Sequence, residues 1–113
     1  MSGVTIYHNP SCSKSRQTLA LLRERGIEPT IVEYLQNPLD EAALTELSEQ
    51  LGLSPRDLVR PRENRSLDLP DPRDDVGWIA RLAAHPEIMQ RPVVVSAAGA
   101  RLGRPPERVL EIL

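Results

Sequence analysis

The sequence predicts an α/β fold, a four-stranded mixed sheet in the order β-α-β, helical insertion, β-β-α, and three features predict it. A β-branched stretch, a run of helix formers and a second β-branched stretch follow one another within the first 35 residues. Near the other end, Val93-Val94-Val95 is followed by a Gly-containing turn and another short stretch. Between them, proline recurs directly after residues that cap helices. At 113 residues, 40% hydrophobic and 27% charged, the chain suits a single domain over 1–113 with a helical insertion at about 37–86.

Each element has a local reason. Val4-Thr5-Ile6-Tyr7-His8 alternates and stops at Asn9-Pro10-Ser11, which reads as strand then loop. From Ser13 to Arg25 good helix formers dominate, Leu19 and Leu22 share one face, and Gly26 is the stop signal. Thr30-Ile31-Val32-Glu33-Tyr34 is a second strand, close enough to the first for a right-handed parallel βαβ unit. Asn37-Pro38, Ser54-Pro55 and Asp71-Pro72 each read as N-cap and N1 and predict three helices. In the first, Leu44, Leu47 and Leu51 recur on one side; in the last, Ile79 and Leu82, with Val76 and Trp78, supply the buried side until His85-Pro86 ends it. Pro61 to Pro72, rich in charge and proline, is expected to be an exposed loop.

After Arg91-Pro92, Val93-Val94-Val95 reads as a central strand covered on both faces. Ala98-Gly99 turns the chain into Ala100-Arg101-Leu102, a β-hairpin. Pro105-Pro106 opens a last helix carrying Val109, Leu110 and Leu113. This order matches a thioredoxin-like sheet, and no internal repeat or domain linker interrupts it.

Composition narrows the function. A net charge of −2, from 14 basic and 16 acidic residues, removes the broad positive field of a non-specific nucleic-acid binder or polybasic membrane anchor. With Trp78, Tyr7 and Tyr34 as the aromatics and no Phe, a base-stacking platform is not expected either. No apolar run reaches the roughly 20 residues of a membrane span, and Met1-Ser2-Gly3-Val4 does not resemble a signal peptide, so a soluble cytoplasmic protein is expected. The lone Cys12 leaves no partner for an internal disulfide and no Cys-rich metal site, so no metal is expected.

Cys12 stands between a strand end and a helix start, in His8-Asn9-Pro10-Ser11-Cys12-Ser13-Lys14-Ser15-Arg16. Backbone N–H groups there lack intrahelical partners and the helix dipole is positive, which favours both a thiolate and a bound oxyanion. His8, Lys14 and Arg16 add positive or hydrogen-bonding groups nearby. The bland alternative is a small buried hydrophobe. Polar neighbours in a Pro- and Ser-rich loop favour the reactive thiol. His85, before Pro86, reads as a helix terminus.

Most of the 13 arginines must be solvated surface charges. Three have a positional claim on an oxyanion, because the guanidinium fork suits tetrahedral oxyanions. Arg60 is read as ending a helix before the Pro-rich loop, Arg91 precedes a strand-opening proline, and Arg104 lies between the hairpin and the last helix. Arg62, Arg65 and Arg101 compete for the same role.

These residues resemble the glutaredoxin-linked arsenate reductase family, of thioredoxin-like fold. The resemblance covers nearly the whole chain. It rests on Ile6 to Arg16 as quoted above with Tyr7, on Glu28-Pro29-Thr30 and Tyr34-Leu35, and on Arg91-Pro92-Val93-Val94-Val95 with Arg101-Leu102-Gly103-Arg104-Pro105-Pro106. It implies that Cys12 attacks arsenic, that His8 and Ser15 help stabilise its thiolate, and that Arg60, Arg91 and Arg104 hold the oxyanion. It also implies a cis Arg91-Pro92 bond. Glutathione as co-substrate and a glutaredoxin as partner are implied, since one internal sulfur cannot complete a two-electron reduction. No bound cofactor, metal or nucleotide is implied. The chain is similar to the short branch of the family, and it departs from the family pattern after Arg60, where Arg62 or Arg65 could take over the anion role.

Three other readings share these residues. A redox-responsive transcriptional regulator of the Spx type has the same fold, but its dithiol switch needs a second Cys where Ser15 stands. A Cys-based phosphatase wants Arg six residues after the nucleophile, where Thr18 stands. A glutaredoxin-like monothiol carrier would use Cys12 on mixed disulfides with glutathione.

Overall fold

Strand β1 (Thr5–His8) pairs in parallel with β2 (Thr30–Glu33) on one side and antiparallel with β3 (Val93–Ser96) on the other. β4 (Gly99–Leu102) closes an antiparallel hairpin with β3, so the four-stranded sheet runs β2-β1-β3-β4. The helix between β1 and β2 is α1 (Ser13–Glu24), closed by Arg25 and by Gly26 at φ 76°, a left-handed position suited to glycine. A computed structural model describes residues 3–113. They group into two compact units: the described residues up to Asn37 with Arg91–Leu113, and Pro38–Gln90.

In the sheet unit, Val4, Ile6, Leu22, Val94, Val109 and Ile112 form the buried core, with Leu19, Leu21 and Ile27 packed against it. Removing one such aliphatic side chain from water stabilises the fold by about 1.5–3 kcal/mol, which is why the short β-branched strands suffice. Val93 and Val94 are fully buried and Val95 is only partly so, so the central strand is covered on both faces over two of its three valines.

The chain after β4 turns in 3-10 geometry over Pro106–Ile112 rather than as an α-helix. Pro106, Val109 and Ile112 are its buried residues, a period of three that matches the 3-10 turn, and Leu113 points outward at 45% exposure. The i, i+3 spacing in the sequence is common to both helix types, and that is why it did not separate them.

The Pro38–Gln90 unit contains α2 (Glu41–Leu51), α3 (Pro61–Ser66) and α4 (Asp75–Ala84) with 3-10 turns at Pro55–Leu58 and Pro86–Ile88. Two of its predicted starts move. Helix α2 is capped by Asp40, whose carboxylate accepts the Ala43 N–H at 2.8 Å, and α4 by Asp74, which accepts the Gly77 N–H at 2.9 Å. Each carboxylate reaches the third N–H beyond it, a bond that outweighs the Pro signal at Asn37-Pro38 and Asp71-Pro72. After Ser54-Pro55 only a 3-10 turn forms, and Ser54 Oγ bonds the Asp57 carboxylate at 3.1 Å instead of a backbone N–H.

Pro61 to Pro72 is not wholly loop: Pro61 occupies the first turn of α3, and the Asn64 N–H donates to the Arg60 carbonyl at 3.0 Å. Proline at N1 starts this helix as it does elsewhere, and the charged residues after it are adequate helix formers. Arg60 therefore begins a helix instead of ending one. Val76 is 72% exposed, so the buried side of α4 is Trp78, Ile79 and Leu82. Among the described residues no helix is long and apolar enough to cross a membrane.

Candidate active site

The loop after β1 is closed by one residue. Asn9 Oδ1 accepts the Ser11 N–H at 3.0 Å and the Asn9 carbonyl accepts the Cys12 N–H at 3.0 Å. This turn delivers Cys12 to the N-cap of α1 in extended geometry, φ −94° and ψ 123°, with its carbonyl accepting the Arg16 N–H. Cys12 carries a sulfur where a capping side chain would carry an oxygen, and the first turn of α1 holds no acidic residue. The free N–H groups of that turn are thus left for the sulfur.

The half-buried Cys12 thiol feels opposing influences. Burial pushes it up, but the backbone N–H of Ser15, the side chain of Arg91 and the backbone N–H of Lys14, with the Arg91 charge, together hold it below the ordinary thiol value. Hydrogen bonds to the charged form outweigh desolvation, which favours the thiolate at this half-buried position.

His8, at the end of β1 and paired in register with Glu33, is buried. Its Nδ1 lies 2.6 Å from Ser15 Oγ, which also accepts the Asn9 N–H at 3.0 Å. Burial holds the imidazole below its ordinary value; Glu33 works the other way, and Arg23 and Arg16 add to the lowering. His8 is therefore a neutral hydrogen-bonding group at neutral pH, and of the two parts expected for it the positive one falls away. Arg16 spans the loop, donating from Nη1 to the Pro10 carbonyl at 2.8 Å.

Arg91 precedes a cis peptide bond to Pro92, as the fold and the resemblance lead one to expect. Arg104 is exposed and donates from Nη1 to the Arg91 carbonyl at 3.1 Å, and the bond from Arg104 to Pro105 is also cis, which the sequence reading did not anticipate. Cys12, His8, Ser15, Arg91 and Arg104 all belong to the sheet unit. Arg60 belongs to the Pro38–Gln90 unit, where it N-caps α3 and forms an ion pair with Glu63. Arg62 and Arg65 are exposed on α3. Arg101 is engaged elsewhere, with Glu111 at 2.9 Å and the Ala100 carbonyl at 2.7 Å.

Two contributors went unassigned in the sequence. Asn9 shapes the cysteine loop, and the signal was available: Asn followed two residues later by a free N–H is the pattern of an Asx turn. Gly103 donates its N–H to the Pro92 carbonyl at 2.9 Å, and a Cβ there would meet Thr18 Oγ1 at 2.5 Å and Pro92 Cγ at 2.7 Å. Only a residue without a side chain lets these three segments approach so closely.

A model of the ArsC family matches residues 7–112. The chain belongs to the ArsC family. This ArsC chain is 48% identical to the uncharacterized protein YfgD of Escherichia coli strain K12, over 97% of this chain and 96% of that one. It is 47% identical to an arsenate reductase of Rhizobium meliloti strain 1021, over 97% of this chain and 81% of the relative. Among solved structures, an arsenate reductase from Vibrio cholerae matches with a TM-score of 0.90 at 46% identity, over 97% of each chain. The α/β architecture is thus the thioredoxin-like one of the ArsC family.

Proposed function

We propose that this chain reduces arsenate to arsenite with thiols as the electron source. The observation that carries the reading is Cys12 itself, a half-buried thiol held below its ordinary value by two backbone N–H groups and Arg91. Relatives named arsenate reductases, matched over 97% of this chain at 47% and 46% identity, support arsenate as the substrate class.

The Cys12 thiolate attacks arsenic and forms an S–As bond, and hydroxide leaves with a proton as water. Arsenic is still As(V) at that stage. One glutathione thiolate replaces a second hydroxyl on arsenic, and a further thiol, on glutaredoxin, attacks that glutathione sulfur. A mixed disulfide departs, its sulfurs oxidised, and the electron pair of the broken S–As bond remains on what is now As(III). Hydrolysis of the Cys12–As bond frees arsenite and the thiol. Arg91 and Arg104 suit the substrate oxygens as cationic donors. Ser15 and His8 hold the loop. A reducing, cytoplasmic setting suits a single free thiol that uses glutathione as co-substrate.

The test is arsenate-dependent NADPH oxidation, coupled through glutathione reductase, glutathione and a glutaredoxin, with Cys12→Ser as control. Turnover lost in the variant supports the reading. A rate equal to background in both proteins removes the arsenate assignment, and turnover on a glutathionylated peptide without arsenate would favour the monothiol carrier.

A further inference from the structure

Charge is divided unevenly along this chain. The Pro38–Gln90 unit carries eleven acidic and six basic residues, a net of −5, while the remainder carries five acidic and eight basic, a net of +3. The excess is concentrated further, since no Lys or Arg occurs between Arg25 and Arg56. Within the Pro38–Gln90 unit an open groove of about 1060 Å³ is lined by α2, α4 and the turn that follows α2. Ala42, Leu53, Val76 and Ile79 give it an apolar floor; Glu41, Glu46, Glu49 and Asp75 also line it, and among the described residues none of its lining side chains is basic.

Fold stability accounts for two of these carboxylates and not for the other two. Glu41 and Asp75 lie in the first turns of α2 and α4, where the helix dipole favours a carboxylate. Glu46 lies at the middle of α2 and Glu49 in its last turn, which has no basic residue, and neither has a Lys or Arg three or four positions away. The dipole disfavours Glu49 there, and neither carboxylate has an i, i+4 ion pair to offset its charge. Val76, at 72% exposure, is an aliphatic side chain left in water beside them.

We propose that this groove docks a cationic segment of a partner protein, with one aliphatic side chain seated on Val76 and flanking Arg or Lys residues meeting Glu41, Glu46, Glu49 and Asp75. The apolar floor supplies the anchor, and the carboxylates, of which Glu46 and Glu49 are uncompensated, select the sign of the partner and speed its capture. The proposal does not rest on the chemistry assigned to Cys12.

The test is an NMR titration of the full chain, labelled with 15N, using a synthetic decapeptide that has one leucine flanked by four arginines. A counterpart with glutamates in place of the arginines is the control. Saturable shifts centred on the amides of Ala42, Glu46, Gly52 and Val76 are expected with the cationic peptide alone. Val76→Ser is expected to weaken binding about tenfold through loss of the anchor. Glu46→Gln combined with Glu49→Gln is expected to weaken it about threefold or more at low salt, and less at high salt. All three substitutions are at exposed positions, and the spectra themselves report whether the fold is kept. Equal affinity of the three proteins, shifts centred elsewhere, binding of the anionic peptide, or no saturable binding up to millimolar peptide would each overturn the proposal. So would a dimer in light scattering that Val76→Ser dissociates, which would assign the groove to a second copy of the chain.

Discussion

Ser15 Oγ and His8 Nδ1 lie 2.6 Å apart, both residues buried, and the same hydroxyl accepts the Asn9 N–H at 3.0 Å. One side chain thus ties the end of β1, the cysteine loop and the start of α1 together. Ser15→Ala removes both bonds and leaves a buried N–H and a ring nitrogen without this partner, so chemical denaturation should show a loss of about 1–3 kcal/mol. The Ser15 backbone N–H that lowers the Cys12 thiol survives the substitution. The alkylation midpoint of Cys12 should therefore move less in Ser15→Ala than in Arg91→Ala. A Ser15→Ala midpoint that moves as far as that of Arg91→Ala would refute this division of labour.

Arg91 is the side chain that lowers the Cys12 thiol, by hydrogen bond and by charge, against the upward push of burial. Arg91→Ala should raise the pH midpoint of iodoacetamide alkylation and slow the reaction at neutral pH. Arg91→Lys keeps the charge and loses the fork, so its midpoint should fall between the two. The same lowering has a sign in stability. A thiol whose folded pKa is depressed adds stability that is complete above the ordinary thiol value and is lost as pH falls through the depressed one. Comparing urea midpoints with Cys12→Ser across that range checks it.

His8 gives a second pH dependence, of the same sign and at lower pH. Burial is the main cause of its lowered value, with Glu33 opposing and Arg23 and Arg16 assisting. The unfolded chain therefore binds a proton that the folded chain resists. The stability that the neutral ring provides should be complete above the ordinary histidine value of about 6.5 and fall away as pH drops through the depressed folded value. His8→Gln should flatten the pH profile of the urea midpoint between neutrality and mild acid. A His8 ring titrating at or above the ordinary value by NMR would contradict the assignment.

The sheet and the cysteine loop were legible in the sequence because each rests on local chemistry: alternating β-branched residues, a Gly stop after α1, and a thiol flanked by polar residues before a helix. What was less legible depends on competition between two local signals. Asn37-Pro38 and Asp71-Pro72 carry the same signature as a true cap, and only the bonds from Asp40 to Ala43 and from Asp74 to Gly77 decide where α2 and α4 begin. Pro61 after Arg60 was a helix start disguised by its charged neighbours. Val76 shares the hydrophobicity of a core residue, and nothing in its spacing tells that α4 turns it outward. The role of Gly103 was invisible for a different reason, since a close approach of three chain segments leaves no pattern in any one of them.

Gly103 offers a sharp test of that packing. An added methyl must displace Thr18 Oγ1 from 2.5 Å and Pro92 Cγ from 2.7 Å, and neither is the far end of a flexible side chain. Gly103→Ala should cost about 1–3 kcal/mol in thermal or urea unfolding. Arg104 follows directly in the chain and donates to the Arg91 carbonyl, so under the proposed function the KM for arsenate should rise as well. Adding Thr18→Ala removes one of the two obstacles and should restore part of the stability, with the Pro92 contact still unrelieved. If the double variant is no more stable than the sum of the two single effects, the close approach is not the cause.

Arg81 plays the corresponding part in the Pro38–Gln90 unit, and its side chain is only 10% exposed. Its Nη1 donates to Asn64 Oδ1 at 2.9 Å, its Nη2 donates to the Pro70 carbonyl, and its guanidinium lies 5.6 Å from the Trp78 ring centroid. Asn64 in turn donates to Asp71 at 3.2 Å, so the guanidinium ties α3 to the middle of the segment between α3 and α4. Arg81→Ala leaves the amide oxygen of the buried Asn64 and the exposed Pro70 carbonyl without these donors and should destabilise the protein by about 1–2 kcal/mol. Arg81→Lys retains the charge over Trp78 but cannot bridge two acceptors from a planar fork, so it should recover less than half of that loss. Amide exchange should quicken first between Leu67 and Asp74, where the clamp acts, before α4 itself opens. Uniform acceleration across the unit would mean that Arg81 supports the helix packing and not this segment.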